Sequence, residues 1–83
     1  MSRLMVKGRT KVNVLEHILF KNGWEVYVIE RGQDGNPDIG YGLVLGIVDE
    51  WGSFSFKEYE PYILSRTSDL TDLMPAPGYE WVD

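Results

Sequence analysis

Leu19-Phe20-Lys21-Asn22-Gly23-Trp24-Glu25-Val26-Tyr27-Val28-Ile29 is the stretch that decides how this chain is read. Asn-Gly between two apolar, β-rich runs is a strong short-range hairpin signal. A type I′ turn needs positive φ at both central residues, and Asn-Gly reaches it at least cost. Downstream, Trp24, Val26 and Val28 alternate with Glu25, Tyr27 and Ile29, the period of two that marks a strand. Upstream, Val12 to Lys21 admits two readings. Asn13 and Glu16 could form a capping box that opens a short helix, with Gly23 just past its end. The Asn-Gly register favours a strand over residues 16–21, because it accounts for both flanks.

Working outward, Gln33-Asp34-Gly35-Asn36-Pro37-Asp38 is dense in turn formers and reads as a loop. In Gly40 to Val48, the odd positions Tyr41, Leu43, Leu45 and Ile47 make one bulky face. Gly40, Gly42 and Gly46 leave the other nearly bare. Glycine weakens a strand unless something approaches closely, so a ring or helix of the same chain is expected over that bare face. Asp49-Glu50-Trp51-Gly52 reads as a tight connection with Gly52 in the left-handed region, and Ser53 to Phe56 as a short strand. Ser55 and Glu58 have capping-box spacing and should open a helix over roughly 56–65, with Phe56, Tyr59, Ile63 and Tyr62 towards the sheet. Pro61 removes a helical hydrogen bond, so that helix is short or restarts there. The expected fold is α+β: a small antiparallel sheet of three to four strands with one helix packed on a face. The expected organisation is a basic flexible arm at 1–11, the α+β domain at 12–66, and an acidic Pro/aromatic tail at 67–83.

Eighty-three residues make a single small domain. A chain of this size buries only about 60–65% of its unfolded surface, so its core is thin. There is no cysteine, which removes disulfides, thiolate metal sites and thiol catalysis, and fits a reducing cytoplasm. The opening residues lack the apolar core of a signal peptide, and no apolar run approaches a bilayer span. A soluble, cytoplasmic protein is expected. Charge is unevenly laid out. Residues 1–11 carry Arg3, Lys7, Arg9 and Lys11 and no acid, whereas residues 34–83 carry ten acids against Lys57 and Arg66. An acidic body repels a phosphate backbone, which disfavours nucleic acid as a partner and favours protein.

No arrangement of residues marks catalysis. His17 is the lone histidine, so a zinc site would need carboxylates alone beside it. No serine stands in a nucleophile-elbow pattern. Asp34, Asn36 and Asp38 have calcium-loop spacing, but Ile39 and Leu45 occupy the positions where glycine and glutamate are required. Asp49 and Glu50 would point to opposite faces in a strand, and in a turn could converge with Glu58 as a carboxylate-based hydrolytic site, a distant alternative. No cofactor is expected. The residues that stand out for a protein interface are Asp49, Glu50 and Trp51, and Asp69, Asp72, Tyr79, Glu80 and Trp81 in the tail. Large aromatics beside acids act as anchors when exposed, although Tyr79 and Trp81 could equally dock on the thin core.

From Phe20 onward the order of features resembles a known family. Leu19-Phe20 is followed by Trp24 with Tyr27 and Glu30, then Tyr41-Gly42-Leu43-Val44, then Glu50-Trp51-Gly52-Ser53-Phe54-Ser55 and Glu58. This order is similar to that of the bacterial domain-of-unknown-function family twenty-nine fifty-eight, found in plasmid- and phage-rich genomes, over about half the chain. The Pro75–Asp83 tail departs from it. The resemblance implies a small α+β sheet domain and assigns no catalytic residue. The functional expectation is a non-enzymatic, acidic protein-binding module, a phage or mobile-element protein that modulates a host protein complex. Mimicry of DNA by Asp69, Asp72, Glu80 and Asp83 is one form of it. A nucleic-acid-binding domain using the basic arm and sheet aromatics is the alternative, and pairing of two chains through edge strands is compatible with either.

Overall fold

A computed structural model describes residues 2–82. The strand expected before the Asn-Gly turn is present as β3 (Glu16–Phe20), paired antiparallel with β4 (Glu25–Arg31). The turn itself differs in type. Gly23 alone has positive φ (90°), the Phe20 amide donates to the Trp24 carbonyl, and the Gly23 amide donates to the Phe20 carbonyl. This is a three-residue loop with glycine in its last position, in place of a two-residue type I′ turn. The Asn22 side chain contributes by accepting from the Trp24 amide at 3.0 Å.

The architecture overturns the α+β expectation. Of the described residues 54% are strand, in one sheet of three strands and one of five, and the longest helical stretch is seven residues long. The five-stranded sheet runs β6 (Asp49–Ser55), β5 (Ile39–Leu45), β4, β3, β7 (Ile63–Thr67). The three-stranded sheet runs β2 (Thr10–Val14), β1 (Arg3–Lys7), β8 (Glu80–Val82). All pairings are antiparallel. The helical expectation fails at Pro61. Ser55 caps α1 (Phe56–Tyr59) as its spacing indicates, accepting from the Glu58 amide. A 3₁₀ turn over Glu60–Tyr62 carries the proline, and Ile63 then leaves for β7. A proline without an N–H ends the α-helical ladder, and pairing with β3 supplies the next residues with other backbone partners.

The two sheets share one core. Met5 and Val14 of the small sheet meet Tyr27 and Leu43 of the large one, and Leu70 and Ala76 from the tail close the space between them. β2 and β3 are separated only by Leu15, whose amide donates to the Val28 carbonyl, so one long run bends from the small sheet into the large one. The basic segment and the tail thus contribute β1 and β8 to the same sheet. On the opposite face of the large sheet a second core gathers Ile18, Phe20, Val26, Val28 and Phe54. Central strands that are buried on both faces lose the clean alternation of a half-buried strand.

β4 carries a bulge between Val28 and Glu30. Beside it the β5 backbone at Gly42 comes so close that a β-carbon there would lie 2.2 Å from the Tyr27 carbonyl oxygen. The bare face of β5 is covered by the chain's own rings, as its glycines imply. Phe54 and Phe56 stand over Gly40, and Trp24 over Gly46. The connection placed at 49–52 lies elsewhere: Gly46-Ile47-Val48 makes the turn, and Asp49 to Gly52 belong to β6. Gly52 pairs with Gly42 in regular extended backbone, so the left-handed conformation expected of it does not occur.

Candidate functional site

The second face of the large sheet is covered by α1 and the 3₁₀ turn at one end only. Phe56 and Ile63 pack onto Phe54 and its neighbours there. The rest of that face is a cleft of about 430 Å³. Val26 and Val44 form part of its lining, with Phe20 and Phe54 beside them and Trp24, Tyr59 and Tyr62 as aromatic walls. Lys21 and Asn22 come from the β3–β4 turn, and Glu50, Gly52 and Ser53 from β6.

Local chemistry fixes each wall. The Ser55 cap and the Pro61 turn hold Tyr59 and Tyr62 three residues apart beside the sheet. Tyr59 stacks on Phe54 at 6.1 Å and meets Phe20 edge-on at 5.6 Å, whereas Tyr62 is 62% exposed. Trp24 is 40% exposed and braced on Gly46. Gly52 contributes an open patch of floor: a β-carbon there would meet nothing within 4 Å. Asp38 anchors the start of α1, accepting from the Ser55 hydroxyl and from the Lys57 amide at 2.9 Å. The Ser55 hydrogen bond, and after it the Lys57 amide, hold the Asp38 carboxyl below its usual range.

Polar groups buried elsewhere are fully engaged. Glu16, 2% exposed, accepts from Arg31 Nε at 2.6 Å and from both Arg66 Nε and Nη2. Its burial opposes ionisation, yet the hydrogen bonds and charges of Arg66 and Arg31 outweigh that and lower its pKa. Arg66 also lies over the Phe56 ring at 4.4 Å, tying this ion cluster to α1. His17 contacts Glu25 at 2.8 Å and meets Tyr27 edge-on at 4.9 Å. Burial and the Glu25 charge push the Tyr27 phenol up to about 12, and its hydroxyl donates to the Met74 carbonyl.

The residues singled out from sequence are distributed unevenly. Trp51, Tyr79 and Trp81 all pack against the core between the sheets. Trp51 stacks on Tyr41 at 6.2 Å, and the Trp81 indole donates to the Leu73 carbonyl at 2.6 Å. Arg3 lies over the Trp81 ring and Lys7 over Tyr79, so two cations of the basic segment face the tail's aromatics. Asp49, Asp72 and Glu80 are exposed. Asp69 accepts from the Thr71 hydroxyl and amide, which depress its pKa. Asp83 lies outside the described residues. Of the sequence-derived set, only Glu50 lines the cleft. Among the described residues, no three His, Asp or Glu side chains group closely enough to hold a metal ion, and no helix is long and apolar enough to cross a membrane.

Trp24, Tyr59 and Tyr62 were readable as strand and helix residues, but nothing local says that they share a cleft. The available signal was the coincidence of Trp24 and Val26 on the same sheet face as a bare Gly52. No protein-family model matches the chain, and no curated protein or solved structure matches it significantly, so the family resemblance rests on the order of sequence features alone.

Proposed function

We propose that this chain is a non-enzymatic, cytoplasmic protein-binding module whose docking surface is the cleft walled by Trp24, Tyr59 and Tyr62. The observation that carries this reading is an apolar depression with three partly exposed aromatic rings around it, on a domain whose other tryptophans, Trp51 and Trp81, pack against its core. Aromatic side chains at a concave surface supply large contact area at small entropic cost, and such positions dominate binding energy in protein interfaces. The engagement of Arg3 and Lys7 with tail aromatics, together with the acidic body, supports protein in preference to nucleic acid.

Selection of displayed random peptides on the immobilised protein tests the reading. Peptides carrying closely spaced apolar residues should be enriched, and Gly52→Arg should abolish the enrichment. That substitution places bulk and charge in the cleft from a position where a side chain meets no obstacle. Equal enrichment on both proteins, or none on either, removes the cleft as a docking surface.

A further inference from the structure

We infer that one occupant of the cleft is a second copy of this chain, which inserts the Ile47-Val48 tip of its β5–β6 hairpin; this rests on the docking reading of the cleft.

The tip is chemically out of place as a turn. Hairpin loops favour Gly, Asn, Asp, Pro and Ser, each for a conformational reason that β-branched apolar residues lack. Here Ile47 is 91% and Val48 62% exposed, so neither gains much burial within its own chain. The hairpin closes on the Leu45–Asp49 pair, with the Gly46 amide donating to the Val48 carbonyl, and holds both side chains out on a three-residue loop.

Knob and cleft are neighbours. Trp24 covers Gly46 at the base of the tip and also walls the cleft. A two-fold axis near Trp24 would exchange the two features, so each chain's tip enters the other's cleft and the contact closes on itself. Charge matches this exchange. The tip is followed directly by Asp49 and Glu50, and the cleft is lined by Lys21 as well as by Glu50 itself, so the opposed pair across the contact is Asp49 with Lys21. Among the described residues, none of these three makes an ion pair within its own chain. Crossing tip and cleft would bring Asp49 of each copy towards Lys21 of the other, twice per dimer. Opposed charges at an interface rim mainly guide encounter and register. The thin core of so small a chain makes partner-derived burial valuable.

Sedimentation equilibrium on the full chain, from about 1 to about 500 µM, reads the outcome over the range expected of a small interface. Wild type should shift from monomer to dimer. Ile47→Asp and Gly52→Arg should each weaken association by at least about tenfold, as loss of a central contact does. Circular dichroism should remain that of wild type, since both positions face solvent or open space. A mixture of the two variants should recover a heterodimer, because it retains one intact tip and one intact cleft. A wild type that stays monomeric throughout, or a dimer unaffected by either substitution, overturns the inference. Peptide selection on Ile47→Asp separates this from the docking reading. Enrichment there with a monomeric wild type leaves the cleft as a docking surface and removes only the second copy.

Discussion

The six-membered ring of Trp24 fills the space above Gly46, where a β-carbon would lie 2.7 Å from Cε3 and Cζ3. That contact sets the position of one cleft wall and the base of the exposed hairpin tip together. Gly46→Ala must therefore move the indole. The ring is a partly exposed side chain and can shift, so the stability cost should stay near the lower end of the about 1–3 kcal/mol typical of overpacking. The NMR resonance of the Trp24 indole N–H, resolved from those of Trp51 and Trp81, should shift, and peptide capture by the cleft should weaken. An unchanged spectrum would show that the indole does not rest there.

Gly42→Ala is a different case. The obstacle is the Tyr27 carbonyl oxygen, a backbone atom at the β4 bulge, and it cannot yield without breaking the β4–β5 ladder. Destabilisation should exceed that of Gly46→Ala and reach about 3 kcal/mol or more, measured by urea unfolding.

The cluster of Glu16 with Arg31 and Arg66 predicts an acid-sensitive fold. The folded carboxyl titrates below its ordinary value of 4.5, so the unfolded chain binds the proton more readily. Stability from this group is complete above about pH 5 and is lost as pH falls through the depressed folded pKa. Glu16→Gln should flatten that part of the stability–pH curve. Near neutrality it should cost about 2–3 kcal/mol, less than a fully buried pair, because both guanidiniums are nearly half exposed.

Ser55→Ala removes a helix cap and the main hydrogen bond to Asp38 together. Loss of the cap should cost about 1 kcal/mol. The Asp38 carboxyl should titrate at higher pH than in wild type, as carbon-detected NMR would show, because its largest stabilising contact would be gone and only the Lys57 amide and charge would remain. An unmoved Asp38 titration would mean that the hydroxyl does not reach it.

Several elements were legible because their cause is local. The β3–β4 hairpin follows from Asn22-Gly23 between alternating apolar runs, and the start of α1 from the Ser55–Glu58 spacing. The close approach to Gly40 and Gly46 by the chain's own rings was legible too, because a glycine-lined strand calls for it, whereas at Gly42 the close neighbour is the Tyr27 backbone. Other elements were hidden for a physical reason. β8 gains its backbone partners only from β1, at the opposite end of the chain, whereas the local β1–β2 hairpin across Gly8 and Arg9 was hidden by its four basic residues, which read as a flexible arm. The Ile47-Val48 turn was masked by its own side chains, which read as a continuing strand, so the break was placed at the more turn-like Asp49 to Gly52.

Taken alone, the sequence determined a cysteine-free acidic chain, a central hairpin with one face of Trp24, Val26 and Val28, and a helix start capped by Ser55. Periodicity and capping act over a few residues, so they can be read without a fold. Only the tertiary structure decided that the basic start and aromatic end share one small sheet, that Trp51, Tyr79 and Trp81 fill a core, and that Trp24, Tyr59 and Tyr62 wall a cleft. Those outcomes depend on which long-range strand pairings bury the most apolar surface while satisfying every backbone group, a balance that no local window contains.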